Sequence, residues 1–446
     1  MRFSSWIGGV LVAACIGCGG QLNVANEDLG VYWPDLADSD DGAVDGGDDA
    51  ADVDAGPSLE QLRDRCTFGP GDDVAKTIGF TAADRAKLPI DHVLVIMQEN
   101  RSFDHYLGRL TQHGHPVDGI PANYTNPIPG GGTAKPAHAT TTCISPDLPH
   151  SFAAIHSEWN SGKMDSFYKV ANASGPGERA ISWYDQTDIP FYYWVYSTFA
   201  MSDRFFSAVL GPTWPNRDYL YAATSDGVIN TFERKITVPT IYDALDKAKI
   251  KWAAYADNGP RQDCISWTKT TPGFHPTADY FAALAAGTLP AVTFIDGEGD
   301  TQDEHPPGDA QKGEAFVRKV LTAAFASKQW AHLAIIMTYD EGGGFFDHVP
   351  PPPACVPSAG AANAAFNRMG VRLPMVVISP YSRPAYVSHV PQEITSITRF
   401  IELVYGLPAM THRDANSSAL LDLFDFTTPA LLKPPASPAA GTGGCR

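Results

Sequence analysis

The sequence predicts an α/β fold with a central, mostly parallel sheet and helices on both faces. Short apolar runs bounded by turn residues alternate along the chain with amphipathic helical patterns, which is typical of such sheets. Two of these runs end in acids: residues 92–98 lead into Glu99, and residues 333–339 lead into Asp340 and Glu341. Because ligands bind beyond the carboxyl ends of strands in open α/β sheets, we expect these acids to meet at one functional edge.

Five strands and three helices carry this prediction. The strands are predicted at residues 92–98, 251–255, 291–295, 333–339 and 375–378. The helices are predicted at residues 242–249, 314–326 and 394–404, where apolar side chains fall on one helical face. Thr240 is a suitable N-cap for the first helix. Residues 189–199 are rich in aromatic side chains, which could line a lipid or choline pocket but fit a buried core helix better.

The N-terminal residues predict export. Arg2 precedes an apolar stretch from Trp6 to Ala14, as in a signal segment, which we place at residues 1–18. Cys15 and Cys18 are both candidates for a lipidated cysteine, and the alternative is a secretory signal that is simply removed. We therefore expect a lipid-anchored protein of the outer or cell-surface membrane, or a periplasmic or secreted protein.

Residues 19–57 predict a disordered acidic tether. Between Glu27 and Asp54 the chain has 11 Asp or Glu residues and no Lys or Arg. Such a run cannot bury enough apolar surface to offset its ordering entropy. Subtracting these 11 charges from the formal net charge of −18 leaves −7 for the rest, and nothing there suggests nucleic-acid binding. Residues 58–446 are long enough for one large catalytic domain.

The seven cysteines give no C-x-x-C pair in the mature body, so the sequence offers no zinc or redox motif of that kind. In an exported protein some of the last five can form disulfides, although spacing does not fix the connectivity. Cys66 and Cys445, near the two ends of the folded body, are one candidate pair.

A further acid and one hydroxyl complete the candidate site. The predicted strand at residues 291–295 is followed by Asp296, and Asp303 to Pro307 come after a Gly-containing turn. Around Thr213, a glycine and two prolines hold a short segment rigid. A threonine hydroxyl can attack phosphorus when a divalent cation stabilises the alkoxide, although alone it more often marks an ST-turn. Oxygen ligands of this kind suit Mg²⁺, Ca²⁺ or Mn²⁺.

Five ordered blocks of the chain resemble the bacterial phosphoesterase family that contains non-haemolytic phospholipases C and acid phosphatases. The blocks are Glu99–Tyr106, Pro149–Ser151 with Trp159–Asp165, Gly211–Arg217, Asp303–Pro307 and Asp340–Pro352. That family is similar in fold to alkaline phosphatase and the sulfatases. The resemblance implies metal-dependent hydrolysis of a phosphate monoester or a phospholipid through a covalent phospho-threonine.

The resemblance also implies roles for individual residues. It implies that a divalent metal ion is bound by Glu99, Asn100, Asp340 and Glu341, with Thr213 as a further ligand and as the nucleophile. It implies that three histidines contact the phosphoryl oxygens or protonate the leaving group: His150, His305 and His348.

Two other residues are predicted to bind substrate, Asn216 from the same block as Thr213 and Lys163 from the block around Trp159. The cationic side chains of Lys163, Arg204 and Arg217 could bind phosphate, but a solvated or ion-paired position is an equally ordinary alternative.

Two other classes of function stay open. A lipid-anchored protein could hold a phosphorylated ligand without turnover, although Thr213 beside a full ligand set argues against this. A sulfatase-like or phosphonate-directed hydrolase could use the same scaffold, but the chain lacks the C-x-P-x-R signature of a sulfatase nucleophile. Within the leading class, the sequence does not separate phospholipase C from acid phosphatase.

Overall fold

The computed structural model describes residues 56–257, 264–265, 273–358 and 365–445 of the 446-residue chain. The predicted signal segment and nearly all of the predicted acidic tether lie outside the described residues. Within the described residues, no helix is both long enough and apolar enough to cross a membrane.

The main sheet has eight strands among the described residues. They are β1 His92–Gln98, β2 Ala200–Ser202, β3 Trp252–Tyr255, β4 Phe274–His275, β5 Val292–Asp296, β6 Leu333–Tyr339, β7 Met375–Ile378 and β8 Val387–Ser388. Their spatial order is β8-β2-β7-β6-β1-β5-β3-β4. Three short two-stranded pairings lie apart from this sheet, namely Asn126–Pro127 with Thr133–Ala134, Ala137–His138 with Ser182–Trp183, and Phe205–Phe206 with Gln392–Glu393.

The centre of the sheet is parallel. Strand β1 pairs in parallel with both β5 and β6, and β3 continues the parallel order beyond β5. Strand β7 runs antiparallel to its neighbours β6 and β2. The predicted α/β class with a mostly parallel sheet is therefore confirmed.

The helices vary widely in length. They are α1 Leu59–Asp64, α2 Val74–Ile78, α3 Ala82–Arg85, α4 Phe103–Leu107, α5 Phe152–Trp159, α6 Phe167–Ala171, α7 Pro190–Thr198, α8 Thr213–Ala222, α9 Ile241–Ala248, α10 Thr277–Ala286, α11 Gly299–Gln302, α12 Ala310–Ala326, α13 Ile394–Tyr405 and α14 His412–Ala415. Short 3-10 segments lie at Leu110–His113, Asn160–Gly162, Gly177–Ile181, Trp330–His332 and Leu421–Leu423.

The core explains why the central strands could be found from sequence. The side chains of β6 are all buried, as are those of β1 after His92, which is why these strands are continuously apolar instead of alternating. Helix α7 buries five of its side chains, so the aromatic stretch packs in the core as expected. Thr240 caps α9 by accepting a hydrogen bond from the backbone N–H of Asp243.

The disulfides differ from the candidate pair of the sequence analysis. Cys66 is bonded to Cys355, and Cys143 is bonded to Cys445, so the pairing of Cys66 with Cys445 is wrong. Asp309 connects the two ends of the second disulfide, because its carboxylate accepts hydrogen bonds from the backbone N–H groups of Gly444 and Cys445, at 2.7 and 3.1 Å, and from the hydroxyl of Thr142, the neighbour of Cys143, at 2.8 Å. Sequence spacing contains no signal for such a contact. Cys264 is buried and belongs to neither disulfide.

Candidate active site

Three acids leave the sheet at one edge. In the parallel register, Gln98 lies beside Tyr339 and Met97 lies beside Asp296. The next residues along β1 and β6 are Glu99 and Asp340, so the expected convergence of these acids is observed. Burial is nearly complete, with relative exposures of 2% for Glu99 and 0% for Asp340.

Arg217 holds these acids together. Its guanidinium donates hydrogen bonds to Asp296 at 2.9 Å, to Asp340 at 3.1 Å and to Glu99 at 3.4 Å. Burial raises the pKa of Asp340 to about 6, although Arg217 opposes the rise and the neighbouring Glu99 adds to it. For this arginine the ion-paired alternative is therefore the observed one. One cation neutralises only part of three buried acids.

Thr213 begins the helix that carries Arg217. It is the first residue of α8, and Arg217 lies four residues later, so the two side chains occupy the same helical face one turn apart. Among the described residues, the Thr213 hydroxyl makes no hydrogen bond, and its side chain is half-buried. Its position at a helix N-terminus also favours negative charge, since the first N–H groups of a helix are directed outward.

The loop before Thr213 is braced by Asn216. The side-chain amide of Asn216 donates to the carbonyls of Gly211 and Pro212 at 2.7 and 3.1 Å, and its oxygen accepts from the backbone N–H of Val209 at 3.0 Å. These bonds fix the segment that presents the hydroxyl. The predicted contact of Asn216 with substrate stays a prediction, and the side chain already has an anchoring role.

Asn100 and Glu341 supply buried polar atoms that lack partners. The backbone N–H of Asn100 donates to Asp340 at 3.2 Å, and Asn100 adopts a positive φ of 66°. Gly343, also at positive φ, passes so close that an added Cβ would lie 2.5 Å from the Cβ of Asn100. Within the described residues, both amide atoms of Asn100 and Oε1 of Glu341 have no hydrogen-bond partner.

These unpartnered atoms could bind a cation. Buried polar atoms are nearly always paired, so the unpaired carboxylate oxygen of Glu341 and the unpaired amide oxygen of Asn100 are two atoms whose bonding a metal ion would satisfy. Among the described groups of three acidic, cysteine or histidine side chains whose ligand atoms all lie within 4.8 Å, Glu99, Asp340 and Glu341 do not occur together. The donors are oxygens from acids and an amide, which suit a hard divalent cation. Burial, with the charge of Asp340, also raises the pKa of Glu341 well above its ordinary value.

Two of the three predicted histidines lie beside this group. Nε2 of His150 is 3.8 Å from Oε1 of Glu341, and the rings of His150 and His305 have centroids 5.5 Å apart. Nδ1 of His150 bonds to the carbonyl of Leu148 at 2.7 Å, and Nδ1 of His305 bonds to the carbonyl of Pro306 at 2.6 Å. A carbonyl only accepts, so each Nδ1 carries the hydrogen and each neutral ring has its lone pair on Nε2.

The segment that carries His305 is anchored through its neighbour. Glu304 is fully buried, and its carboxylate accepts hydrogen bonds from the hydroxyls of Tyr106 at 2.7 Å and Tyr339 at 2.8 Å, with Tyr192 as a third donor. This carboxylate is therefore committed to three phenols, which hold the loop after β5 against β6.

The third predicted histidine, His348, belongs to another charged group. Its ring nitrogens bond to Asp104 at 2.7 Å and Asp118 at 3.1 Å, and Arg372 also binds Asp104. Burial opposes protonation, but the hydrogen bonds to both aspartates raise the pKa of His348 to about 9. The described hydrogen bonds and ion pairs of His348 connect it to these partners and not to Glu99 or Asp340. Its role in catalysis stays a prediction.

Lys163 is exposed in the turn after α5. Its predicted role in substrate binding therefore rests on the sequence motif alone. Arg204 is ion-paired with Asp118 at 2.7 Å.

Sequence reasoning missed two acids of this region. Asp147 lies with His150 and His305 in a group whose ligand atoms are all within 4.8 Å, and its position three residues before His150 was the available signal. Glu158 of α5 is fully buried, and neither carboxylate oxygen has a hydrogen-bond partner among the described residues. Burial raises the pKa of Glu158, and its charge also raises that of Glu341. No sequence pattern distinguishes Glu158 from a surface acid on a helix.

Comparison with known proteins identifies the family of the chain. The model of the Phosphoesterase family matches residues 90–408. Non-specific phospholipase C6 of Arabidopsis thaliana is 31% identical over 382 residues, covering 76% of this chain and 73% of the relative. Non-hemolytic phospholipase C of Burkholderia pseudomallei is 28% identical over 427 residues, covering 76% of this chain and 59% of the relative.

Among solved structures, a protein of the alkaline phosphatase superfamily from Vibrio parahaemolyticus is 10% identical and covers 74% of this chain and 78% of its own. The TM-score is 0.36. A score this low supports no statement about the site, and the fold class rests on the sheet itself.

Proposed function

We infer that this phosphoric ester hydrolase, which belongs to the Phosphoesterase family, attacks its substrate with the hydroxyl of Thr213 and works with a bound divalent cation. The position of Thr213 supports this proposal more than any other observation. The residue opens α8 one turn before Arg217, and Arg217 is bonded to Glu99 and Asp340. The hydroxyl of Thr213 and the guanidinium that binds the acids therefore lie on the same helix.

Four residues would hold the cation, namely Glu99, Asn100, Asp340 and Glu341, with Thr213 as a fifth ligand. When bound, a divalent cation would offset the negative charge of the acids and of the phosphate, and would favour the ionised form of the hydroxyl. Mg²⁺, Ca²⁺ and Mn²⁺ are the candidate ions, because the ligand atoms are oxygens.

Side chains of this protein can supply both the nucleophile and the proton transfers of the reaction. The Thr213 hydroxyl loses its proton, Oγ1 forms a bond to phosphorus, and the bond from phosphorus to the leaving alkoxide breaks. His150 and His305 have Nε2 available, so a ring can accept a proton at that atom and give it to the leaving alkoxide. Water then attacks phosphorus, its oxygen replaces Oγ1 of Thr213, and one of its protons returns to Oγ1, which releases phosphate or a phosphorylated head group.

The proposed substrates are phospholipids, with phosphate monoesters as the alternative. The relatives that bear the name phospholipase C favour the first. We also propose that the enzyme acts outside the cytoplasm, where disulfides such as Cys66–Cys355 and Cys143–Cys445 persist, and that a lipid on Cys15 or Cys18 anchors it to a membrane.

The test compares Thr213→Ala with Thr213→Ser, which keeps a hydroxyl. We expect Thr213→Ala to lose hydrolysis of p-nitrophenyl phosphate and of p-nitrophenyl phosphorylcholine by about 10³-fold or more, while Thr213→Ser keeps a measurable part. Chelation of divalent ions should also stop the wild type, and adding them back should restore it. Circular dichroism confirms that each variant is folded. A rate near wild type in Thr213→Ala would remove the nucleophile, and tight phosphate binding without turnover by the wild type would favour a binding protein.

A further inference from the structure

We propose that Phe232 is a contact to the phospholipid surface, which it touches when the site acts on a lipid in a bilayer. This inference rests on the proposed function, and it selects membrane-presented phospholipid over soluble esters as the substrate class. It concerns the loop from Asp226 to Arg234, here called the Phe232 loop.

Phe232 is exposed to an unusual degree. Its relative exposure is 80%, against 39% for Val390 and 45% for Leu432, the other large apolar side chains that are exposed among the described residues. Single exposed apolar residues are common on protein surfaces. The argument therefore depends on how this one is held and where it lies.

Hydrogen bonds and an ion pair within the Phe232 loop hold its conformation. The carboxylate of Glu233 accepts hydrogen bonds from the backbone N–H groups of Ile229 at 3.1 Å and Asn230 at 3.3 Å. Arg234 is ion-paired with Asp226 at 3.1 Å. Phe232 itself adopts a positive φ of 63°, which is costly for an aromatic residue and persists only where the surroundings impose it. The loop thus holds an apolar ring out to solvent in an unfavourable backbone conformation.

The Phe232 loop contacts the residue that follows the proposed nucleophile. The Phe232 ring packs edge-on against Trp214, with centroids 4.9 Å apart, and the backbone N–H of Trp214 donates to the hydroxyl of Thr231 at 3.4 Å. Trp214 directly follows Thr213. On the preceding segment, a Cβ added at Gly211 would lie 3.6 Å from the half-buried ring of Phe152. Aromatic surface therefore adjoins the loop that presents the nucleophile.

A lipid surface explains this arrangement better than a soluble ester does. Insertion of an exposed ring into the acyl boundary of a bilayer is favourable, because its apolar area leaves water. At the same time it would fix the distance from the membrane to Thr213, because Trp214, which contacts the Phe232 loop, is the next residue along the chain. A small phosphate monoester has no apolar surface that needs such a contact.

The test is Phe232→Asn, since asparagine tolerates positive φ and removes the ring. The matched control is Leu432→Asn, which removes an exposed apolar side chain elsewhere. Hydrolysis is measured with three substrates: dioleoyl-phosphatidylcholine vesicles, monomeric dibutanoyl-phosphatidylcholine and p-nitrophenyl phosphorylcholine. Binding to the same vesicles is measured by sedimentation.

We expect Phe232→Asn to lose about tenfold or more in vesicle binding and vesicle hydrolysis, while its rates on both soluble substrates and all rates of Leu432→Asn stay at wild-type level. Unchanged vesicle hydrolysis in Phe232→Asn would overturn the inference. An equal loss on monomeric lipid would also overturn it, because the ring would then contact one substrate molecule instead of an interface. If the wild type hydrolyses no phosphate ester at all, the proposed function fails, and this outcome is distinct from a failure of the interfacial contact.

Discussion

Replacing Arg217 tests whether one guanidinium holds the acidic edge of the site together. In Arg217→Met the side chain keeps much of its volume, but Glu99, Asp296 and Asp340 lose their shared cationic partner. All three acids are at most 2% exposed, so water cannot replace the lost hydrogen bonds. Removing one partner of a buried ion pair lowers the free energy of unfolding by about 3–5 kcal/mol, because the other charge stays buried without compensation. We expect the free energy of unfolding to fall by this amount. The loss should not be larger, because a buried acid without its partner can take up a proton and so lose its charge.

The pH dependence of the same variant has a definite sign. Burial already raises the pKa of Asp340 in the folded state, and loss of Arg217, which opposes that rise, raises it further above the value in the unfolded chain, so the folded state binds more protons. Stability relative to wild type should therefore recover as the pH falls from about 8 to about 5. An added divalent cation that binds only the folded state should also restore stability at neutral pH.

The assay is equilibrium unfolding in urea, followed by tryptophan fluorescence, with metal ions chelated. The control is Arg234→Met, which breaks the exposed ion pair with Asp226 and should cost at most about 1 kcal/mol. A loss in Arg217→Met that is no larger than that of Arg234→Met would refute the account of the acidic edge.

Three further predictions concern side chains around the site. Asn216→Ala should lower the free energy of unfolding, measured in urea, by about 1–3 kcal/mol and should also lower kcat, because the loop before Thr213 loses three hydrogen bonds; a rise in KM with unchanged stability would instead support substrate binding. His348 stabilises the fold in its charged form, so the stability advantage of wild type over His348→Asn should be present at pH 6.5 and should disappear as the pH rises through about 9, and a constant difference would contradict the pairing with Asp104 and Asp118. Cys445→Ser should lower the urea midpoint of unfolding, with a loss of about 2–5 kcal/mol in the free energy of unfolding, because the lost disulfide joins residues 302 positions apart. An unchanged midpoint would count against that disulfide.

The sheet and its acidic edge could be predicted because their signals are local. Strands β1 and β6 have the bounds predicted from their apolar runs, since both are buried in the centre of a parallel sheet. Once these strands are parallel and adjacent, the acids that follow them must lie together. The position of Glu99 beside Asp340 therefore follows from pattern and topology alone.

Other features depend on contacts between distant parts of the chain. Nothing near Arg217 in sequence reveals that its three partners come from three different strands, so its role as the common partner was open until the fold was known. Cys445 reaches Cys143 through the carboxylate of Asp309, which spacing cannot express. The sequence likewise gave no reason to separate His348 from His150 and His305.

The most direct test of the central claim is where a divalent cation binds. Crystals grown with Mn²⁺ would locate the ion by anomalous scattering. We predict a strong peak in contact with oxygens of Glu99, Asn100, Asp340 and Glu341 and with the hydroxyl of Thr213. No peak at that edge, with the ion instead at another group such as His138, Asp185 and Asp188, would contradict the account.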